Sequence, residues 1–389
     1  MPWREVSIME QRREFVRLSM QEGANRRELC RRFGIHPGTG YKWLARWAAN
    51  EGLSDRSRRP HSSPMRTAAV VEESILALRD QHPAWGARKI AACLERAGAA
   101  CPAESTVHEI LRRHDRVAAP LGGAAAHQRF EKPAPNLLWQ MDFKGHVPLS
   151  GGGRCHPLTV VDDHSRYAVA LDACANEQDI TVRGCLERTF RRYGLPDAFF
   201  VDNGTPWGDA SGQSWTRFGV WLLKLGIAVL HSRPYHPQSR GKNERFHRSL
   251  KAEVFALERF RDLAEVQRAL DRWRTVYNLD RPHQALDQQV PASRYRASAR
   301  AMPARLPQVE YDGHEIVRTV GTTKAYVSFK GRLCKVPQAF CGERLAIRPL
   351  ATDGRYGAFF GAHQIASIDL TQTKSVGHVS EQVSVMSQG

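Results

Sequence analysis

No apolar run in this sequence is long enough to cross a bilayer, and its opening, "MPWREVSIMEQRREF", lacks the apolar centre of a signal peptide. Membrane insertion and export are therefore not expected. The eight cysteines (Cys30, Cys93, Cys101, Cys155, Cys174, Cys185, Cys334, Cys341) are scattered, with no CxxC pair. That spacing gives neither a zinc site nor a disulfide framework, and it fits reduced thiols in a cytoplasmic protein. No GxxxxGK[ST] phosphate loop is present, so ATP-driven chemistry has no visible seat. Acidic residues are also short: 40 Asp and Glu face 57 Lys and Arg, a net charge of +17.

What is there follows from that surplus. The chain has 389 residues, 42% hydrophobic and 25% charged. These values fit a globular chain of several domains. A basic excess of this size points to a polyanion, nucleic acid before a membrane surface. Residues 1–134 hold 23 of the basic and 15 of the acidic residues, and they carry helical patterns. In "VSIMEQRREFVRLSMQEG", Ile8, Phe15, Val16 and Leu18 share helical spacing before Gly23. In "NRRELCRRFGIHPGTGYKWLARW", Asn25 with Glu28 has capping-box spacing, Leu29 and Phe33 form an inner face, and His36-Pro37 opens a further helix. Trp43, Leu44 and Trp47 are its expected core side, while Gly38 and Gly40 weaken it. Helix-turn-helix geometry would then set Thr39, Lys42 and Arg46 nearest DNA. The competing reading is a helical packing module with a solvated basic face.

The pattern recurs in "WGARKIAACLERAG", with Ile90 and Leu94 inward, and in "STVHEILRRH". The second is a candidate recognition helix, with Ser105 as cap and Val107, Ile110 and Leu111 inward. Between the two modules, "LSDRSRRPHSSP" has the composition of a linker; Arg56, Arg58 and Arg59 can be read either as a minor-groove arm or as plain tether.

Beyond the Pro- and Ala-rich stretch 118–135 the texture becomes α/β. "LLWQMDFKG", "PLTVVDDHSRYAVALDA", "DAFFVDNG" and "IAVLHS" read as strands; "DITVRGCLERTFRRYG" and "SWTRFGVWLLKLG" read as helices. The expected order, β-β-β-α-β-α-β-α, makes a mixed sheet whose first three strands run as a meander. Asp142 lies within the first strand, and Asp202 ends the fourth before the Asn203-Gly204 turn signal. Further on, "YHPQSRGKNERFHRSLKAE" holds Glu244 among Arg240, Lys242, Arg245, Arg248 and Lys251. As a helix it would place Phe246, Leu250, Val254 and Leu257 on one face. Glu244 would sit about 200° from Phe246, beside Arg248 and Lys251. Taken alone, it is equally a salt-bridged surface residue.

"WQMDF", "VDNG", "HPQSRGKNERFHRSLKAE" and "YNLDRPHQAL" together resemble the catalytic core of insertion-sequence DDE transposases of the retroviral-integrase type, over residues 135–295. The resemblance implies a ribonuclease H-like fold and an acidic triad, Asp142, Asp202 and Glu244, separated by 60 and 42 residues. It also implies that the triad binds two Mg²⁺ ions, replaceable by Mn²⁺, for DNA end cleavage and strand transfer. His236, Arg240, Lys242, Arg248 and Lys251 are then expected at the DNA backbone. The implied partners are duplex DNA (the element's terminal inverted repeats and the target) and further copies of the chain, as a homodimer or larger. The implied setting is a bacterial nucleoid. Asp162-Asp163 in "VVDDHSR" are read as structural rather than as further ligands, and "RPHQAL" as packing on the last helix of the core.

From Pro307, alternating residues with turns at Gly321, Lys330-Gly331 and Cys341-Gly342 read as a small β-barrel. The expected architecture is helix-turn-helix domains at 1–52 and 67–116, joined by a basic linker at 53–66. A linker at 117–134 leads to the core at 135–298, followed by the barrel at 307–372 and a disordered tail at 373–389. Two other functions fit parts of this pattern: a DNA-binding regulator with an inactive core, and a ribonuclease H-like nuclease. The paired helix-turn-helix patterns weigh against the nuclease.

Overall fold

The structure, a computed structural model, describes residues 7–56, 66–117, 131–208, 215–231 and 241–371. They divide into two compact units, 1–66 and 67–389.

In the first unit, helices α1 (Ile8–Ser19), α2 (Arg26–Arg32) and α3 (Pro37–Ala48) close around Phe15, Val16, Leu29, Cys30, Trp43 and Leu53. Ser7 and Glu10 form a reciprocal capping box on α1, whereas Asn25 caps α2 by accepting from the Glu28 amide. The His36 side chain caps α3, with Pro37 at the first helical position. Two expectations fail here. Trp47 is 49% exposed and Ile8 67% exposed; Phe15, Val16, Leu29, Cys30, Trp43 and Leu53 form the core without them.

The second unit opens with α4 (Ala69–Gln81), α5 (Ala87–Arg96) and α6 (Glu104–Arg113), packed around Ile75, Trp85, Ile90, Leu94, Val107, Ile110 and Leu111. Ser105 does not cap α6. The helix starts two residues earlier than a Ser105 cap would set it, behind Ala103, and has no side-chain cap.

The central sheet contains β1 (Trp139–Phe143), β2 (Val147–Pro148), β3 (Arg154–Asp162), β4 (Ala168–Cys174), β5 (Ala198–Val201) and β6 (Ala228–His231). β3 pairs antiparallel with β1, β2 and β4, while β1, β5 and β6 run parallel. The result is the mixed sheet with an opening meander that the sequence led us to expect. One face buries Trp139, Leu158, Phe190, Phe199 and Phe218 under α7 (Asp179–Tyr193) and α8 (Arg217–Lys224). The other buries Val161 and Leu171 under α9 (Gly241–Leu250) and α10 (Leu263–Leu279). α9 ends in a π-helical turn, Lys251–Phe255. Leu257 therefore falls beyond the helix and is 55% exposed instead of joining Phe246, Leu250 and Val254.

Six more strands follow: β7 (Ile316–Thr319), β8 (Tyr326–Phe329), β9 (Arg332–Lys335), β10 (Arg344–Pro349), β11 (Arg355–Phe360) and β12 (His363–Asp369). Lys330 and Gly331, both at positive φ, turn β8 into β9. Hydrogen bonding gives a four-stranded sheet, β12-β11-β10-β7, and a separate β8–β9 hairpin. Among the described residues the C-terminal region thus shows two sheets around one core, without showing their closure into the expected barrel. Their core extends onto α8 through Val220 and Leu223.

Candidate active site and nucleic-acid interface

Asp142 and Asp202 stand at the ends of adjacent parallel strands, and Glu244 stands on the first turn of α9. The parallel register pairs Trp139 with Phe199 and Gln140 with Phe200. Asp142 lies two residues beyond Gln140 on β1, and Asp202 lies two beyond Phe200, one residue past β5. Both are half-buried. Carboxyl ends of parallel strands are where α/β sheets bind ligands.

Asp202 is oriented by its own turn. Its Oδ1 accepts from the Gly204 amide at 2.9 Å, an Asx-turn contact, and from Trp207 Nε1. The Trp207 ring is buried and stacks on Phe143, the residue after Asp142, with centroids 5.5 Å apart. His231 Nδ1 lies 2.9 Å from the Asp202 carbonyl. Burial pushes the His231 imidazole below its ordinary range.

Glu244 occupies the first turn of α9 and is exposed. The opposite side of that helix is fixed by Phe246 and Leu250, with Phe246 set edge-on against Trp273 and Tyr277 at 5.3 and 4.9 Å. Two polar contacts add register. Lys242 Nζ donates to Asp163 Oδ1, which also accepts from Gln140 Nε2 at 2.7 Å. Asp163 Oδ2 accepts from the Lys132 amide at 2.8 Å. Burial, with Arg166 nearby, lowers the Lys242 ammonium to about 8. One turn past Glu244, His247 Nε2 lies 2.9 Å from the Thr159 hydroxyl, which donates to the Asp142 carbonyl at 2.8 Å. Burial, reinforced by the Lys144 charge, pushes His247 down to about 4, so it is neutral at pH 7.

Among the described residues, no three His, Cys, Asp or Glu side chains are gathered closely enough to hold a metal ion. The donor chemistry of the three carboxylates nonetheless suits a hard cation, which takes oxygen ligands. Asp162 and Asp163 are fully buried and serve the fold. Asp162 accepts from Ser165 and from the Asn136 amide, and burial raises its carboxyl. In "RPHQAL", Arg281 donates to Glu253 and Ser249, tying α10 to the end of α9.

The residues expected at DNA fall in different places. Lys42 is exposed, with its ammonium 4.6 Å from the Trp43 ring centroid. Thr39 is half-buried. Arg46 stacks on Trp43 at 4.9 Å and donates to the Ser54 carbonyl, so it also braces the loop after α3. Arg56 pairs with Glu51. Arg248 and Lys251 are exposed on the Glu244 side of α9, whereas Lys242 turns inward to Asp163. Arg58, Arg59, His236 and Arg240 lie outside the described residues. Sequence reasoning missed Thr159, Trp207 and His247. Only His247, three residues after Glu244, stood in a motif already singled out.

Comparison with known proteins agrees with this layout. Two integrase core domain families match residues 132–237 and 225–291. The IS481 family transposase C-terminal domain matches 315–376, a helix-turn-helix domain 11–61 and a homeodomain-like domain 39–111. The chain is 27% identical over 268 residues to an insertion element IS407 uncharacterized 31.7 kDa protein of Burkholderia multivorans, covering 65% of this chain and 91% of that one. It is 28% identical over 170 residues to an insertion element IS476 uncharacterized 39.2 kDa protein of Xanthomonas euvesicatoria, covering 44% of this chain and 47% of that one. It is also 27% identical over 217 residues to the Gag-Pol polyprotein of baboon endogenous virus, covering 54% of this chain and 12% of the polyprotein.

Proposed function

Since the chain belongs to the insertion-sequence transposases with an integrase core, we propose that it cuts its element's DNA ends and joins them to a target through Asp142, Asp202 and Glu244. The observation that supports this is the parallel β1–β5 pairing, which ends at Gln140 and Phe200, two residues before Asp142 and Asp202 near the carboxyl ends of the two strands.

In this reading, the three carboxylates supply the oxygen donors for two divalent cations, Mg²⁺ or Mn²⁺. When bound, such ions activate the attacking oxygen and stabilise the leaving one. Trp207 and Gly204 hold the Asp202 carboxylate at the strand end. Arg248 and Lys251, exposed beside Glu244, neutralise the phosphates of the incoming backbone. With water as nucleophile the product is a cut end; with a DNA 3′-OH it is a joined strand. Joining exchanges one phosphodiester for another, so no nucleotide is consumed. The helix-turn-helix regions hold the terminal repeats, and joining two ends calls for two active sites, hence a dimer or larger complex on DNA.

Asp142→Asn and Asp202→Asn test the assignment on a terminal-repeat duplex with Mg²⁺. Each should lower end cleavage on the order of a thousandfold or more, equivalent to several kcal/mol of barrier. Terminal-repeat binding should stay near wild type. Cleavage by the wild type in EDTA, or by either folded variant at the wild-type rate, would overturn the assignment; a wild type that binds the repeat but never cuts it would point to the rival function, a DNA-binding regulator whose core is inactive.

A further inference from the structure

Thr159 is fully buried on β3, in register with Asp142, among apolar neighbours Val160, Val161 and Leu171. A valine would fill that space without a hydroxyl to satisfy. The hydroxyl has one proton, and it goes to the Asp142 carbonyl. His247 Nε2 must then carry the ring proton and donate it to Thr159 Oγ1. The chain of contacts therefore runs from α9 through β3 to the backbone of β1, bridging 88 residues of sequence.

Apolar packing of Phe246 and Leu250 holds α9 on the sheet, but such packing is non-directional and tolerates small slides. A hydrogen bond with a narrow range of length and angle does not. We propose that Thr159 and His247 are positioning residues, whose contact fixes the helix carrying Glu244 against the strand carrying Asp142. This rests on the reading of those carboxylates as a cation-binding set. Neither residue touches the reacting atoms; each acts on where the carboxylates stand.

The main test is Thr159→Val, which keeps the shape and removes the bridge. End cleavage should fall about 10- to 100-fold in kcat, with KM for the terminal-repeat duplex unchanged. Mn²⁺ binding to the DNA-free protein, followed by electron paramagnetic resonance, should weaken by a similar factor of about 10 to 100. Amide hydrogen exchange in α9 should quicken about tenfold or more. His247→Gln, whose amide can donate from nearly the same place, should recover most of the activity. His247→Leu should match Thr159→Val, and the double variant should be no worse than either, because one contact is lost in all three.

A folded Thr159→Val protein with wild-type kcat, Mn²⁺ binding and exchange in α9 would overturn the proposal. Failure of the underlying reading looks different: wild-type protein that binds no Mn²⁺, with Glu244→Gln still cutting DNA. In that case the exchange rates of α9 decide the positioning role alone. Unchanged rates in Thr159→Val reject it, and faster rates uphold it.

Discussion

Single residues show how far composition misleads and where physics corrects it. In the sequence, Gly40 looks like a weak point in α3. In the structure, a Cβ at Gly40 would lie 2.5 Å from Cys30 Sγ and 2.8 Å from Phe15 Cζ. The absent side chain is what lets α3 sit against α1 and α2. Gly40→Ala should therefore destabilise the first unit by about 1–3 kcal/mol, despite the better helix propensity of alanine. Urea unfolding checks this, with Gly38→Ala, whose Cβ would meet only the exposed His36 ring, as the milder comparison. His283 gives a second prediction. Burial, helped by the Arg281 charge, pushes its imidazole down to about 3. Above its unfolded pKa it is neutral in both states. Below about pH 6.5 the unfolded chain takes a proton that the folded chain refuses until about pH 3. This residue should therefore remove about 1.4 kcal/mol of stability per pH unit across that window. His283→Gln should flatten the fall in stability between pH 6.5 and 4.5, and an unchanged slope would contradict the buried neutral assignment.

At the scale of elements, α9 is the most informative. Lys242 belongs to its first turn and, by sequence, to a basic cluster expected at DNA. Its side chain is instead 18% exposed and paired with a fully buried Asp163. Lys242→Met should leave a buried carboxylate without its cation and cost about 3–5 kcal/mol, and adding Asp163→Asn should restore most of it. A DNA contact would behave otherwise: stability would hold, while affinity and its salt slope would drop, the slope by about 1. Strands and helices were legible because periodicity and local spacing encode them, whereas Asp142, Asp202 and Glu244 were joined into a triad only through the family resemblance. Partners distant in sequence were not legible. Thr159 and His247 meet across 88 residues, and nothing within either segment announces it. Trp47, Ser105 and Leu257 were misplaced for local reasons: a small core closed without the second tryptophan, a helix began two residues early, and a π turn ended another. The strand pattern after Pro307 gave the strands but not their pairing, which is a four-stranded sheet and a separate hairpin.

For the whole molecule, the +17 charge and the helix-turn-helix regions fit DNA binding; in the proposed reading the protein reaches DNA electrostatically and selects sequence with its helices. Terminal-repeat affinity should fall steeply with salt, and Lys42→Ala should weaken it; equal affinity for random duplex would remove the recognition role of this region. Cutting is, in the proposed reading, a separate property seated in the core. Glu244→Gln separates the two. The substitution keeps the size of the side chain at an exposed position and removes only its charge. Measured on one terminal-repeat duplex with Mg²⁺, the variant should bind as the wild type does and lose end cleavage and strand transfer on the order of a thousandfold or more. If Glu244 is only a surface charge among arginines, the change costs at most about 1 kcal/mol of stability and leaves cleavage near normal. A folded Glu244→Gln protein that cuts its ends at the wild-type rate would contradict the assignment of the triad.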